Sequence, residues 1–154
     1  MGIFSFLNKQ TEFFSQNEKN QIVNAIGLAE KETSGEIRIY VESRNAMVNV
    51  IDRAAEVFFN LKMDNTTERN GVLLYIAIKD KELALFADEG IYKKVGAEFW
   101  NHAVKDMLAE FSKDNITNGI EKCILHVGQT LKDKFPFDSS NDKNQLPNDI
   151  VFGK

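Results

Sequence analysis

A single cysteine, Cys123, rules out an intrachain disulfide and suits a reducing compartment. Proline is nearly as scarce. Both copies, Pro136 and Pro147, fall late, so nothing before residue 136 is interrupted by a fixed φ. No stretch approaches the roughly 20 apolar residues of a membrane-spanning helix. The opening MGIFSFLNKQ has too short an apolar run and no small-residue cleavage pattern for a signal peptide. Positive charge is not in excess: the net charge is −4 and the pI near 5.3, which argues against a general binder of nucleic acid or anionic membranes. Three Tyr and one Trp stand against twelve Phe, so most rings are core material. What remains, 43% hydrophobic and 27% charged residues, is the balance of a soluble globular domain, expected in the cytoplasm without membrane insertion.

The strongest element is Asn70–Ala77, read NGVLLYIA. Val72–Ala77 is apolar or aromatic throughout, as in a strand covered on both faces. Before it, Ser15-Gln-Asn-Glu18 forms a capping box opening a helix with Ile22, Ala25, Ile26 and Ala29 on one stripe, stopped at Thr33-Ser34-Gly35. Glu36–Ser43 alternates, with Ile37, Ile39 and Val41 on one face, which suits a sheet edge or a partly open face. Met47–Leu61 returns to helical spacing, so strand, helix and strand form a right-handed crossover with parallel strands. Glu82–Ala87 folds back as a hairpin after Lys79-Asp80-Lys81. One long helix is expected over about Tyr92–Phe111 and another over about Ile116–Lys134. The order α-β-α-β-β-α-α gives a three-layer α/β/α sandwich on a small mixed sheet. Residues 1–14 read as an extension, 15–135 as the domain, and 136–154 as an irregular tail with Leu146, Ile150 and Phe152 as docking points.

This topology brings three polar corners to one rim. The starts of two parallel strands and the finish of the antiparallel one place Thr33, Ser34 and Glu36, then Glu68, Arg69 and Asn70, then Asp88, Glu89 and Gly90 together, beside a helix start. Oxygen-rich corners of this kind suit a hard cation, calcium or magnesium, with Asp88, Asp64, Glu68 and Asn70 as ligands. Arg69, Thr33, Ser34, Glu36, Glu89 and Gly90 suit an anionic group. Each residue also has a plainer role: Gly35 as a helix stop, Glu68–Arg69 as a surface ion pair, Asp88 as a cap. The opposite rim, with Ser43-Arg44-Asn45 and Lys79–Lys81, is basic and ranks second, although open α/β sheets usually bind ligands at that end. His102 and His126 lack ligand spacing, and Cys123 reads as a small core residue. No nucleotide-binding glycine motif or nucleophile elbow occurs.

The corners carry a resemblance. AEKETSGEIR (Ala29–Arg38), ERNGVLLYIA (Glu68–Ala77), FADEGI (Phe86–Ile91), VGAEFW (Val95–Trp100) and KFPFD…NQLPNDIVF (Lys134–Phe152) resemble the TPM-domain family, relatives of thylakoid-lumen proteins linked to photosystem II repair and of many bacterial proteins. The resemblance implies an α/β/α sandwich, divalent-cation binding with calcium foremost, and an acid phosphatase activity in plant relatives. It implies rim roles for Glu36, Arg69, Asn70, Asp88 and Gly90. Many members are exported or membrane-anchored, whereas this chain reads as a free-standing soluble form.

Two functions follow as expectations. In the favoured one the domain binds a divalent cation and serves as a stabilising or interaction module, with Phe4, Phe6, Phe137 and Phe152 available to a protein partner. In the alternative it is a metal-assisted phosphatase, the cation polarising a phosphomonoester while Arg69 neutralises its oxygens. No residue stands out as the nucleophile.

Overall fold

Residues 13–47, 49–112, 115–137 and 149–153 are described by the structure, a computed structural model. The Ser15 hydroxyl accepts from the Glu18 amide at 3.1 Å and the Glu18 carboxylate accepts from the Ser15 amide at 3.0 Å, so the capping box launches helix α1, Gln16–Glu30. Strand β1 is Glu36–Glu42, helix α2 Val50–Asn60, strand β2 Gly71–Ala77 and strand β3 Glu82–Ala87. Helices α3 (Glu89–Val95), α4 (Ala97–Ser112) and α5 (Ile116–Lys134) follow, and strand β4 is Ile150–Phe152.

The sheet runs β3-β2-β1-β4. β1 pairs in parallel with β2, Glu36 opposite Gly71 and Glu42 opposite Ala77, and β2 pairs antiparallel with β3. All seven residues of β2 are buried, as its unbroken apolar run requires. One face, through Ile37, Ile39, Val72, Leu74 and Ile76, packs on Ile22 and Ile26 of α1, Trp100 and Met107 of α4, and Ile124 and Leu131 of α5. The other, through Leu73, Tyr75 and Ala84, packs on Ala54, Val57 and Phe58 of α2. Burying a ring such as Phe58, fully shielded here, contributes about 1.5–3 kcal/mol. Helices on both faces of a four-stranded mixed sheet make the expected three-layer sandwich.

Four local expectations change. β1 is not an edge: β4 pairs with it in parallel, Ile39 opposite Ile150 and Val41 opposite Phe152, so part of the expected tail is a strand. The polar alternate residues of β1 are buried with it, Glu36 at 3% and Glu42 at 6% exposure. The long helix is two helices, because Gly96 adopts φ 91, a conformation that glycine tolerates and side chains resist. Helix α2 starts three residues later than expected, where the Asn49 side chain accepts from the Ile51 amide at 2.8 Å. Phe152 is half-buried beside Lys19, and Phe137 is exposed, while Phe4, Phe6 and Leu146 lie outside the described residues.

Candidate functional site

The three corners do meet, at the amino ends of the parallel strands. In the first, the buried Thr33 hydroxyl donates to the Phe135 carbonyl and accepts from the Gly35 amide at 3.0 Å, tying the corner to the end of α5. Ser34 is thereby turned outward, and its hydroxyl donates to Glu68 Oε2 at 2.7 Å. In the second corner Asn70 is 1% exposed. Its amide nitrogen donates to Ser34 Oγ at 3.2 Å and to Glu68 Oε2 at 3.4 Å. Its side-chain oxygen, also buried, accepts nothing among the described residues. A buried amide oxygen without a donor costs roughly 1–3 kcal/mol unless something fills its lone pairs.

The third corner is built on close backbone approach. Asp88 caps α3 by accepting from the Glu89 amide at 2.8 Å, and its own amide donates to the Gly71 carbonyl at 2.9 Å. The Gly90 amide donates to the Arg69 carbonyl at 2.9 Å, and a Cβ at Gly90 would lie 2.2 Å from the Glu68 carbonyl oxygen. Arg69, in the left-handed region at φ 53, sends Nε and Nη2 to the two oxygens of Asp88 at 2.7 and 2.8 Å, with Glu89 at 3.3 Å. This planar fork is the strong bidentate form of the pair. Asp64 sits half-buried nearby, its charge felt by Arg69. The expected cation ligands are thus divided: Asp88 faces a guanidinium, whereas Glu68 and Asn70 meet Ser34 in a separate hydrogen-bonded cluster.

Glu30, absent from the residues expected at the rim, joins it. Its Oε2 accepts from the Ile37 amide at 2.7 Å, and its carboxyl is hydrogen-bonded to Glu36. Burial first, and then the neighbouring Glu36 carboxylate, pushes the Glu30 carboxyl well above the usual range, so the pair holds a proton. The Glu36 amide in turn donates to the Asn70 carbonyl at 3.4 Å, setting the pair beside the Asn70 corner. The signal was present: Glu30 continues the buried Ile22–Ile26 stripe by one more turn, an acid at a core position.

The other sequence candidates stay apart. His102 is exposed and 3.8 Å from Glu98, His126 rests edge-on against Phe99 at 5.0 Å, and burial pushes the Cys123 thiol up to about 12. Among the described residues no three His, Cys, Asp or Glu side chains converge as a ready metal site. At the opposite rim Asp80 binds Arg44 at 2.8 Å and the Asn45 amide at 2.7 Å. Buried beneath it, Glu42 accepts from Arg53 Nε and Nη2 at 2.8 and 2.9 Å and from the Tyr75 hydroxyl. The Tyr40 ring stacks on Tyr75 at 6.1 Å.

Fold and rim together define a small α/β/α domain with an oxygen-lined rim at the amino ends of its parallel strands. The chain belongs to the TPM domain family, whose profile matches residues 7–130. Among solved structures it is similar to the BA42 protein of the psychrophilic bacterium Bizionia argentinensis: 40% identity, TM-score 0.84, 92% of this chain and 96% of that one covered. The N-terminal domain of a protein from P. gingivalis shares 15% identity at TM-score 0.65, covering 84% of this chain and 81% of that one. The N-terminal domain of cg2496 from Corynebacterium glutamicum shares 12% at TM-score 0.63, with 79% and 76% covered. The last two speak to the fold alone. A search of curated proteins finds no match. No helix among the described residues is long and apolar enough to cross a membrane.

Proposed function

We propose that the domain binds a divalent cation, calcium or magnesium, at the amino-end rim and works as a stabilising or interaction module in the cytoplasm. The observation that carries this reading is the buried Asn70 side-chain oxygen, without a donor among the described residues, on an amide whose nitrogen is bound to Glu68 and Ser34. A hard cation takes such oxygens, and the Glu30–Glu36 pair next to them supplies negative charge once its proton leaves. Asp88 fits less well, since a cation there has to displace the Arg69 fork. The ligand set is thus Asn70, Glu68 and Glu36, with the Ser34 hydroxyl. Few charges and no prearranged cluster suit the weak range, about 10⁻⁴–10⁻³ M. A bound ion would join the Thr33 and Asn70 corners into one stiff surface, and the exposed Phe137, two residues beyond the Thr33 anchor at Phe135, offers an apolar contact for a protein partner.

Hydrolysis of a phosphomonoester is the weaker reading, because the Arg69 guanidinium it needs for phosphate oxygens is engaged by Asp88 and Glu89. The test is a calcium and magnesium titration read by backbone amide shifts, repeated with Asn70→Ala and with p-nitrophenyl phosphate present. Saturable shifts at Ser34, Glu36, Glu68 and Asn70 that vanish in the variant, without turnover, support binding. Absence of shifts at millimolar cation sinks it, and cation-dependent turnover moves the reading to catalysis.

A further inference from the structure

The carboxyl ends of the parallel strands carry a second feature. β1 connects to β2 through α2 on one face of the sheet, whereas α3–α5, which precede β4, lie on the other. β2 and β4 therefore flank β1 with their helical layers on opposite sides. The carboxyl ends of parallel strands are also where open α/β sheets usually hold ligands. A cavity of about 90 Å³ lies there, lined by Val41 and Ser43 at the end of β1, Ile78 and Lys79 after β2, Gly153 after β4, and Phe13.

Its chemistry is two-sided. Phe13, Val41 and Ile78 make an apolar wall, and Ser43 and Lys79 bring a hydroxyl and an ammonium. Arg44 is paired with Asp80, but the exposed Lys79 side chain enters no ion pair among the described residues. The one carboxylate in the wall, Glu42, directs both oxygens at Arg53 and Tyr75, which neutralises it. At about 90 Å³ the space holds about six to nine waters, each needing roughly 10–15 Å³. That is far below the roughly 300 Å³ at which drug-sized pockets begin. A nucleoside is excluded and a branched acid of a few carbons is admitted.

We propose that this cavity binds a short-chain carboxylate, its head on Lys79 and Ser43 and its stem against Phe13, Val41 and Ile78. The site is separate from the amino-end rim and does not depend on cation binding. The experiment is an amide-shift titration of the full chain with isobutyrate at fixed ionic strength, with isobutanol and inorganic phosphate run in parallel. Saturable shifts are expected at Val41, Ser43, Ile78, Lys79 and Gly153, with Ser34 and Asn70 still. Lys79→Ala, at an exposed position that leaves the fold intact, should weaken isobutyrate about two- to fivefold, the size of one half-exposed charge contact. The alcohol should bind less well for want of charge and phosphate less well for want of a stem. No saturable shift overturns the proposal, as does an unchanged affinity in Lys79→Ala. Equal binding by isobutanol or by phosphate overturns it too.

Discussion

Replacing Gly90 by alanine sets two effects of opposite sign against each other. Gly90 lies in the first turn of α3, where alanine would gain up to about 1 kcal/mol of helix propensity. The added Cβ, however, would meet the Glu68 carbonyl oxygen at 2.2 Å and that of Arg69 at 2.6 Å, and both are backbone atoms. Backbone cannot rotate away, so the corner and the helix start must separate. The Gly90 amide then loses its 2.9 Å bond to the Arg69 carbonyl, worth about 1 kcal/mol, and the forced repacking adds about 1–3 kcal/mol. The net is a destabilisation of about 1–3 kcal/mol, or about 2–4 °C in Tm for each kcal/mol. Urea unfolding of the variant beside Gly27→Ala measures it. Gly27, within α1, has nothing within 4 Å of its added Cβ and should gain about 0.5–1 kcal/mol. Amide shifts should move at Arg69 and Asp88 in the Gly90 variant. A Gly90→Ala protein as stable as the parent would refute the close contact between these two corners.

Two further outcomes follow from buried charge. Because the Glu30 carboxyl is raised on folding, its protonated form is favoured by the fold, so stability is full below the unfolded value near 4.3 and falls as pH climbs towards the raised one, by up to about 1.4 kcal/mol per pH unit. Glu30→Gln should flatten that slope in urea midpoints taken from pH 5 to 8, and an unchanged slope contradicts a raised Glu30 carboxyl. Arg53→Ala strips the guanidinium from Glu42, whose side chain is 5% exposed, and should cost about 3–5 kcal/mol. A companion Glu42→Gln change should return part of that loss in thermal melts, and a cost below about 1 kcal/mol for the single variant would show the pair to be solvated.

Where pattern and pairing are local, the sequence was a good guide. The unbroken run of β2, the Ser15–Glu18 box and the crossover through α2 each rest on neighbours in the chain, and each stands in the structure. Convergence of the three corners followed from strand direction alone. The misses are non-local or one residue wide. β4 has three residues beside β1, too few to show a period, and its partner is far away in sequence. Gly96 interrupts a helix whose apolar spacing runs straight through it, from Val95 to Phe99 and Trp100. At the rim, residue types pointed to the right corners but could not say that Asp88 would turn to Arg69, or that Glu30 would reach back across the helix stop to Glu36.

The late pairing of β4 bears on the order of assembly. β1 and β2 can zip together as soon as β2 has been made, whereas the outer edge of β1 waits for a segment beyond three further helices. During that interval β1 offers open hydrogen-bonding groups to any passing strand, the usual route to misassembly. Its alternate residues Glu36, Arg38 and Glu42 carry charge along that waiting edge. Glu36 and Glu42, buried and partnered in the finished domain, thus serve first as a deterrent to wrong pairing.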